Sequence, residues 1–462
     1  MSSDSDRIES HYSRRDFLKH SGAVGLGAAL GGMALQSAGC QQAKMAGPAP
    51  ADHLAAPALE TVRVGFVGVG NQGSGHFRNL LRIEGVQIKA VCDIREEVVQ
   101  RCQQQVEKAG QPVPAGYFQG VEDFKRMCDR EELDLVYTAT PWEWHVPICT
   151  YAMQTGSHAA TEIPGAITLE ECWKVVEFAE RYKKHCCTME NCCYDTTELL
   201  IFNMVRQGLL GELLHAECGY LHDLRGWKFG TAYYPHDWRL QHSIKRNTDL
   251  YPTHGLGPVA QWFDITRGNK FEYLVSISSP SKCLREEAIR RYGADHPLAQ
   301  TDYALGDVVN TLLKTSKGQT ILVTHDTNTP RPYSRRILLQ GTKGLVRKYP
   351  EEKIHIEGRS RGHSWEDLST YKEEYEHPLL KALRERAKGA GHGGMDFIED
   401  FRLVQCLREG KPVDMDTYDG VTISAVVALS ERSIAQGSSP IEFPDFTRGR
   451  WKTRTPLGVV TL

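Results

Sequence analysis

The chain has 462 residues, which exceeds the length of one ordinary domain and predicts two or three domains. Hydrophobic residues make up 40% of the chain and charged residues 24%, a composition typical of globular proteins. The formal net charge of −3 gives no electrostatic reason to expect a nucleic acid or an anionic membrane surface as the partner.

Residues 1–40 have the composition of an export signal. Paired arginines, Arg14 and Arg15, precede x-Phe-Leu-Lys, and the stretch that follows, up to Cys40, is almost uncharged and rich in Gly and Ala. This pattern resembles the twin-arginine signal, whose pathway carries folded proteins. Cys40 ends a partial lipoprotein cleavage box, so a lipid anchor at this cysteine and simple cleavage further along both remain open. Residues 41–59 are rich in Ala and Pro and predict a linker.

A short apolar run at residues 62–67 is too brief for a helix and typical of a buried parallel strand. It leads into Gly68, Gly70 and Gly73 of a G-x-G-x-x-G sequence, and apolar residues at helical spacing follow. Strand, glycine turn and helix are the context that the dinucleotide-binding fingerprint needs. Gly68 allows the tight turn, Gly70 lets the backbone approach a pyrophosphate, and Gly73 lets the helix pack on the strand.

An acidic residue stands where this fingerprint expects one. Residues 86–91 predict a second strand, which ends at Asp93, 20 residues beyond Gly73. A carboxylate there can hydrogen-bond to the adenosine ribose diol and repel a 2′-phosphate, which favours NAD over NADP. Arg95 is close enough in sequence to leave that preference open. The sequence therefore predicts NAD as the cofactor.

The next segments alternate between helices and strands. Residues 98–108 predict a helix, residues 133–139 a strand and residues 149–154 part of another helix. Such alternation indicates a parallel, doubly wound sheet, and ligands bind at the carboxyl ends of its strands. We therefore expect residues 142–145 and 162–163 to lie beside the cofactor.

Four features in this order, GVGNQG, Asp93, TPWEWH and AMQTGSHAATEIP, resemble the glucose–fructose oxidoreductase and inositol dehydrogenase (Gfo/Idh/MocA) superfamily. The resemblance implies a Rossmann domain followed by a domain built on a large open sheet that carries the sugar site. The chain departs from the superfamily pattern at Ile163, which replaces the catalytic lysine of E-K-P. The usual proton acceptor for alcohol oxidation is therefore missing, which argues against an ordinary sugar dehydrogenase.

The second half of the chain is dense in polar and aromatic residues. Residues 168–184 predict a helix with a capping box, a further helix runs to Gly208, and residues 216–221 predict the first strand of the second domain. Aromatic faces with a few hydrogen-bonding groups suit a sugar ring, whose faces are apolar and whose rim is polar. The dense group comprises Tyr220, His222, Trp227, Tyr233, Tyr234, His236, Trp238 and Arg239, followed by residues 251–257.

The last third predicts more strands and then helices. Two strands, TLLKTS and TILVTHDT, precede a strand and turn in RRILLQGTKG. Residues 346–371 are charged and irregular and predict an exposed excursion. Residues 376–389 predict a helix, residues 391–396 begin another, and residues 418–436 predict one final apolar helix.

Thirteen cysteines in an exported protein would ordinarily suggest disulfides, but a core of this size does not need them. The vicinal pairs Cys186-Cys187 and Cys192-Cys193 lack the spacing of a zinc site, so no metal is predicted. Buried thiols are expected at Cys92, Cys149, Cys172 and Cys406.

The second half resembles one branch of the superfamily, glycoside hydrolase family 109, whose members are NAD-dependent N-acetylgalactosaminidases. The stretches ENCCY, YPTHGLGP and NTPRPYSR carry the resemblance, which extends over nearly the whole chain and accommodates the missing lysine. It implies NAD contacts from Asn71, Gln72, Asp93, Trp142, Glu143, Trp144, His145, Glu162, Ile163 and Asn191. It implies sugar contacts from Tyr220, Arg239, Tyr251, Pro252, Thr253, His254 and Tyr333.

Together these features predict an α/β protein in two parts. We expect an NAD-binding Rossmann domain with a doubly wound parallel sheet at residues 60–190. We expect a substrate-binding α+β domain with a large open, mostly antiparallel sheet at residues 191–445, followed by a tail at residues 446–462.

Most glycosidases use two carboxylates that flank the glycosidic bond, and NAD-dependent families are exceptions. In the expected reaction, oxidation of the sugar C3 hydroxyl acidifies the C2 hydrogen, and loss of that proton lets the C1 substituent leave. Water addition and return of the hydride complete a cycle without net redox. An imidazole can exchange protons near neutral pH, which makes His254 the first catalytic candidate. Tyr333, Tyr194 and Glu162 are further candidates, and Arg239 is expected to fix polar groups of the substrate.

Two other readings stay open at this stage. The chain could be an exported sugar oxidoreductase with tightly bound NAD(P), or a non-catalytic sugar-binding protein on the same fold. The expected partner is a small sugar or the terminal sugar of a glycan, and a homo-oligomer is open. The exact sugar, its anomeric configuration and the residue that carries each proton do not follow from the sequence.

Overall fold

The structure, a computed structural model, describes residues 56–230, 234 and 237–462. These residues belong to one compact unit. The predicted export signal, most of the predicted linker, Cys40, Tyr233 and His236 lie outside the described residues.

The first part of the described chain forms a parallel sheet with the strand order β3-β2-β1-β4-β5-β6. Its strands are β1 (Val62–Val67), β2 (Val86–Cys92), β3 (Ala115–Tyr117), β4 (Leu135–Thr138), β5 (His158–Thr161) and β6 (Cys186–Thr188). The helices between and after them are α1 (Asn71–Leu80), α2 (Glu96–Lys108), α3 (Asp123–Arg130), α4 (His145–Gln154) and α5 (Leu169–Tyr182). The strand order reverses between β1 and β4, which is the switch point where ligands bind in such sheets.

The second part of the described chain contains a larger sheet with the order β14-β13-β12-β11-β7-β10-β9-β8-β15. Neighbouring strands are antiparallel except β7 and β10, which are parallel. Its strands are β7 (Leu213–Leu221), β8 (Phe271–Ser278), β9 (Val309–Thr315), β10 (Thr320–Asp326), β11 (Leu338–Gly341), β12 (Gly344–Arg347), β13 (Lys353–Ile356), β14 (Glu366–Asp367) and β15 (Ile441–Glu442). A parallel sheet followed by a large, mostly antiparallel sheet confirms the predicted fold class.

Helices flank this second sheet and connect it to the first. Those before β13 are α6 (Thr196–Arg206), α7 (Arg225–Lys228), α8 (Trp238–Lys245), α9 (Thr253–Trp262), α10 (Cys283–Tyr292) and α11 (Pro297–Gln300). Those after β14 are α12 (Lys372–Tyr375), α13 (Pro378–Ala387), α14 (Met395–Glu409), α15 (Thr417–Ser424) and α16 (Val426–Ala435). Helix α14 packs against α1, and α15 packs against α5, so the chain returns to the first sheet near its end.

The prediction of an exposed, irregular excursion at residues 346–371 holds for residues 357–365, which are mostly exposed, but it is wrong for the strands on either side of them. This segment contributes β13 and β14, which extend the larger sheet beyond β12. Ile354 and Ile356 are buried and alternate with partly exposed Lys353 and His355, which is the period of a strand with one covered face. Charged residues such as Lys353, which pairs with the exposed Asp367, obscured the alternation.

The prediction of one final helix at residues 418–436 is also wrong, because α15 and α16 meet at Ala425. Helix α15 packs against α5 and β6, whereas α16 packs against β8 of the other sheet. Two separate helices let this segment cover both surfaces. The linear domain boundaries at residues 190 and 445 remain predictions. Within the described part of the chain, no helix has the length and apolar character needed to cross a membrane.

Candidate active site

One cavity of about 1260 Å³ lies at the carboxyl ends of the first sheet's strands and extends to residues of the second part of the chain. Its wall includes Val67 at the end of β1 and Cys92 at the end of β2. This is the position expected for a ligand of a doubly wound sheet. The predicted residues that line the cavity are Gly68, Gly70, Asn71, Gln72, Asp93, Trp142, Glu143, Trp144, His145, Glu162, Ile163, Asn191, Tyr220, Arg239, Tyr251, His254 and Tyr333.

The glycine turn has the backbone that the fingerprint requires. Gly68 has a φ of +80°, in the left-handed region that favours glycine. A Cβ on Gly73 would lie 2.1 Å from the carbonyl oxygen of Gly68, so α1 can pack this closely only with glycine there. Gly70 lines the cavity and is the N-cap of α1, where backbone N–H groups are available to an anion. The turn therefore fits the pyrophosphate of a dinucleotide.

Asp93 stands directly after β2 in the same wall of the cavity. Its carboxylate accepts hydrogen bonds from the backbone N–H of Val69 (3.0 Å) and from Nε of Arg95 (3.1 Å). The first contact ties Asp93 to the glycine turn. The Arg95 side chain is 41% exposed and pairs with this carboxylate. A carboxylate held beside the turn is the group that binds the ribose diol of NAD.

The loop after β4 contributes a 3₁₀ turn, Trp142–Trp144, to the cavity. The Trp142 ring stacks on Tyr251, with centroids 5.8 Å apart, and so joins the two sides of the site. His145 is fully buried, and its two ring nitrogens lie 2.8 Å from the carbonyl oxygens of Thr140 and Pro164. Because both nitrogens face backbone carbonyls, His145 fixes this loop.

The loop after β5 places a carboxylate in the cavity wall. Glu162 Oε1 accepts a hydrogen bond from Nε2 of His76 (2.8 Å), and Oε2 accepts one from the backbone N–H of Ile163 (3.1 Å). His76 in turn contacts Asp400 on α14. Sequence reasoning did not identify His76 or Asp400, because 324 residues separate them and no short motif contains both.

A buried cation lies on the opposite side of the cavity. Arg239 sits over the rings of Trp142 (5.0 Å) and Tyr251 (4.7 Å), and its Nη1 donates a hydrogen bond to the hydroxyl of Tyr234 (2.7 Å). It forms no ion pair with a carboxylate of the described residues. Burial lowers the pKa of Arg239, but the nearby oxygens of Tyr234, Tyr220 and Tyr251 outweigh burial and raise it. An aromatic cage around a charged donor can hold a polar group of a sugar.

His254 lines the cavity at the start of α9 and is paired with a buried carboxylate. Its Nδ1 lies 2.8 Å from Oε1 of Glu190, whose side chain is fully buried. The same oxygen accepts a hydrogen bond from the backbone N–H of Cys192 (3.0 Å). Burial raises the pKa of Glu190, but His254 and these hydrogen bonds outweigh burial and lower it. The ionised Glu190 accepts, so Nδ1 of His254 carries a hydrogen.

Sequence reasoning missed Glu190 as a partner of His254, although Glu190 is the first residue of the quoted ENCCY stretch. The two glycines after His254 explain the close contact. A Cβ on Gly255 would lie 2.3 Å from the backbone nitrogen of Gly219 in β7, and one on Gly257 would lie 2.6 Å from Cγ of Glu190. Glycine at both positions therefore lets α9 approach β7 and Glu190, which sets the place of His254.

Two tyrosines complete this side of the cavity. The hydroxyl of Tyr220 lies 3.0 Å from Nδ1 of His222, and its ring packs edge-on against His254 at 5.2 Å. Tyr333 is 39% exposed, and Nη1 of Arg335 donates to its hydroxyl at 3.4 Å. Burial raises the pKa of Tyr333, so its hydroxyl stays protonated and can donate to a ligand.

Four of the predicted site residues do not line the cavity. Gly73 supports the glycine turn from below. Pro252 is the N-cap of α9, and Thr253 is buried in its first turn. Tyr194 is buried, and its hydroxyl donates to Oδ2 of Asp414 at 3.0 Å. Because the Tyr194 hydroxyl binds Asp414 and does not line the cavity, this catalytic candidate lies apart from His254, Tyr333 and Glu162.

The cysteines that were expected to be buried thiols are buried and unpaired. Among the described residues, Glu190, Cys192 and His254 are close enough to share a metal ion. Glu190 and His254 are engaged with each other, and Nη1 of Arg335 lies 3.2 Å from Sγ of Cys192. The prediction that no metal takes part stays a prediction.

Comparison with known families agrees with this arrangement. Residues 62–190 match the family model of the NAD-binding Rossmann fold of the Gfo/Idh/MocA oxidoreductases. Residues 194–453 match the C-terminal domain of glycosyl hydrolase family 109, and residues 11–31 match the twin-arginine translocation signal. The fold and site therefore define an exported NAD-binding enzyme of the Gfo/Idh/MocA class.

Relatives and solved structures are similar over most of the chain. A glycosyl hydrolase family 109 protein of Shewanella pealeana is 45% identical over 451 residues, covering 97% of this chain and 99% of the relative. An alpha-N-acetylgalactosaminidase of Shewanella oneidensis is 44% identical over 457 residues, covering 97% of this chain and 98% of the relative. A levoglucosan dehydrogenase in complex with NADH and levoglucosan, 19% identical, covers 83% of this chain and 100% of its own, with a TM-score of 0.63.

The chain belongs to glycosyl hydrolase family 109. This assignment makes it an NAD-dependent glycoside hydrolase and confirms the predicted family, the cofactor NAD and export by the twin-arginine route. The likeness to the dehydrogenase, at its low identity, shows the fold alone.

Proposed function

We propose that this enzyme releases terminal N-acetylgalactosamine from glycoconjugates in the periplasm, through an oxidation, elimination, water-addition and reduction cycle. A 44% identical relative is named alpha-N-acetylgalactosaminidase. The observation that carries the proposal is a single cavity whose lining contains both the dinucleotide-binding glycine turn and the group of Arg239, Tyr251 and His254. A sugar held by the second group can therefore reach a cofactor held by the first.

The residues of the first wall are suited to hold NAD. The turn from Gly68 to Gly70 receives the pyrophosphate, Asp93 binds the adenosine ribose, and Trp142 and Asn191 line the remaining wall. When bound, NAD supplies reversible oxidation of a sugar alcohol, which acidifies the neighbouring C–H bond and leaves no net redox change after the cycle. The chain itself has to supply groups that bind the sugar and groups that move its protons.

His254 is the proposed acid–base catalyst of the second wall. Its Nδ1 hydrogen is held by Glu190, which leaves Nε2 as the ring nitrogen that can accept and return a proton. Glu190 also stabilises the imidazolium that forms when Nε2 accepts a proton, because the carboxylate is ionised and buried. The pair therefore resembles other histidine–carboxylate pairs in which the acid orients the base.

Binding of the sugar is assigned to the aromatic residues around Arg239. The guanidinium is buried, has only a hydroxyl as its hydrogen-bond partner among the described residues, and can donate to a carbonyl or hydroxyl oxygen of the sugar. Tyr220 and Tyr251 offer ring faces to the apolar side of the sugar, and the Tyr333 hydroxyl can donate to an oxygen at its rim.

The proposal is tested with the purified enzyme, its bound nucleotide and a panel of para-nitrophenyl sugars. We expect release of N-acetylgalactosamine without net NADH, and incorporation of deuterium from D₂O at C2 of the product. His254→Ala should lose most turnover and retain NAD, which is measured after denaturation. An oxidised sugar product would instead identify an oxidoreductase, and no turnover on any glycoside with full NAD occupancy would refute a catalytic role.

The final location of the enzyme depends on its N-terminus. We propose that the exported protein is periplasmic and that Cys40 is its candidate lipid attachment site. Mass spectrometry of the mature N-terminus from the producing cell distinguishes a lipidated Cys40 from cleavage further along the chain.

A further inference from the structure

A buried chain of ionisable groups leads from the cavity wall into the core. Glu162 lines the cavity, and its Oε1 accepts a hydrogen bond from Nε2 of His76 at 2.8 Å. Nδ1 of His76 lies 2.9 Å from both carboxylate oxygens of Asp400. The side chains of His76 and Asp400 are fully buried, whereas that of Glu162 is 14% exposed. The three groups thus connect the cavity with a carboxylate that has no access to solvent.

Each ring nitrogen of His76 faces a carboxylate oxygen, so a His76 with a hydrogen on both nitrogens satisfies both contacts. An imidazole with two hydrogens is a cation, and a buried cation is stable when anions flank it. Asn79 Nδ2 donates to Asp400 at 2.9 Å, and the Tyr137 hydroxyl donates at 3.3 Å, which fixes this carboxylate in place.

Other groups also surround His76 and Asp400. Nε2 of Gln72, on the same helix, lies 3.2 Å from Nε2 of His76, and a flip of this amide turns its oxygen to the ring, where it can accept the same hydrogen. Asp396 and Glu399 of α14 are the further acidic groups that act on the cluster. Burial lowers the pKa of His76, but Asp400 and Glu162 outweigh burial and raise it. Burial also raises the pKa of Glu399.

We propose that the Asp400–His76 pair is the positioning element that holds the Glu162 carboxylate in the cavity wall, and that Glu162 is the proton acceptor on the dinucleotide wall of the cavity. This inference rests on the proposed function and deepens it. Glu162 takes a proton from the bound sugar and returns it to the sugar in the second half of the cycle, while His76 keeps both of its hydrogens. With His254 on the other wall, the enzyme has one acid–base group on each side of its substrate.

The proposal also accounts for the isoleucine at position 163. The superfamily resemblance expects the proton acceptor at that position, and Ile163 cannot accept a proton. Glu162 is its neighbour in the same loop and already faces the cavity. The imidazolium of His76 supplies, from below, the positive charge that the absent lysine does not.

The test compares pH profiles of kcat for the NAD-loaded wild type and Asp400→Asn. The asparagine keeps the size of the side chain but removes its charge, so His76 loses its second hydrogen at a lower pH than it does in the wild type. Glu162 then lacks the cationic neighbour that stabilises its negative charge. We expect the acidic limb of the profile to move up by about one pH unit or more, with KM and NAD content unchanged.

Tyr137→Phe is the matched control, because it removes a hydrogen bond to the same carboxylate without changing a charge, and its acidic limb should not move. A second readout does not need turnover: ¹⁵N NMR should show His76 doubly protonated at pH 7.5 in the wild type and neutral in Asp400→Asn, with His76→Gln identifying the signal. An unmoved limb in an active Asp400→Asn enzyme, or a neutral His76 in the wild type, overturns the proposal and leaves the glycosidase function standing. A wild type without glycosidase turnover overturns both.

Discussion

Replacement of Glu190 by glutamine tests the histidine–carboxylate pair of the second wall. In Glu190→Gln the amide oxygen can still accept the Nδ1 hydrogen of His254 over the 2.8 Å contact, but the negative charge is gone. The side chain keeps its size, so the position of α9 and the contact with Gly257 should be retained. The variant therefore removes charge stabilisation of the imidazolium and places an NH₂ group at the buried position of Oε2.

The expected magnitude follows from the burial of this pair. Hydrogen bonds to charged groups contribute about 1.5–3 kcal/mol, against about 1 kcal/mol for neutral pairs, so losing the charge costs about 0.5–2 kcal/mol in the state with a protonated His254. Since each 1.36 kcal/mol is tenfold in rate, kcat should fall by roughly 2- to 30-fold. Glu190 Oε2 has no hydrogen-bond partner among the described residues, so the new NH₂ group lowers the free energy of unfolding by about 1–3 kcal/mol.

The assay measures kcat and KM on the best para-nitrophenyl sugar, together with the nucleotide released on denaturation. Glu190→Asp is the matched variant, because it keeps the charge but moves it back by one methylene, and its kcat should lie between those of the wild type and Glu190→Gln. A kcat of Glu190→Gln equal to that of the wild type, at equal NAD content, would refute the assignment of His254 as a charge-stabilised base.

Two further predictions concern the cofactor site and acid stability. Gly73→Ala places a Cβ 2.1 Å from the Gly68 carbonyl oxygen, so it should lower NAD retention and cost about 1–3 kcal/mol of stability. Gly75→Ala is the control, because a Cβ at this position of the same helix has no atom within 4 Å, and it should retain NAD. Equal NAD retention in both variants would contradict the packing argument. Burial lowers the pKa of His185 to about 4, below its unfolded value, so the unfolded state binds more protons and stability falls as the pH drops from about 6.5 towards 4. His185→Phe should therefore lose about 2 kcal/mol less stability than the wild type between pH 7 and 5 in urea titrations, and an unchanged pH dependence would contradict this.

The parts of this protein that follow from the sequence are those in which the deciding residues are neighbours. The glycine turn is one example, because strand β1, Gly68, Gly73 and helix α1 occupy a single short stretch and act on one another. The capping box of α5 is another, since Thr168 and Glu171 exchange hydrogen bonds across three residues. Such local signals carry their own geometry, and the structure agrees with both.

Contacts between distant residues could not be derived in this way. His254 was identified from its own chemistry, but Glu190 lies 64 residues earlier and nothing in its local sequence indicates an acceptor for an imidazole. Residues 353–356 were predicted to be exposed because of their charged neighbours, although Ile354 and Ile356 pair with β12 and are buried. In both cases the missing information is which element packs against the residue, and only the folded chain decides that.

The same reasoning explains why α14 matters to the site although it is remote in sequence. The helix carries Asp396, whose Oδ1 accepts a hydrogen bond from Nδ2 of Asn191 at 2.7 Å, and Asp400, which contacts His76. One turn of this helix therefore holds in place Asn191, which follows β6 and lines the cavity, and His76, which lies on α1 behind Glu162. If α14 shifted, the support of Asn191 and that of Glu162 through His76 would be lost together. In the proposed function, the packing of this late helix against α1 is thus a condition for placing proton transfer beside the cofactor.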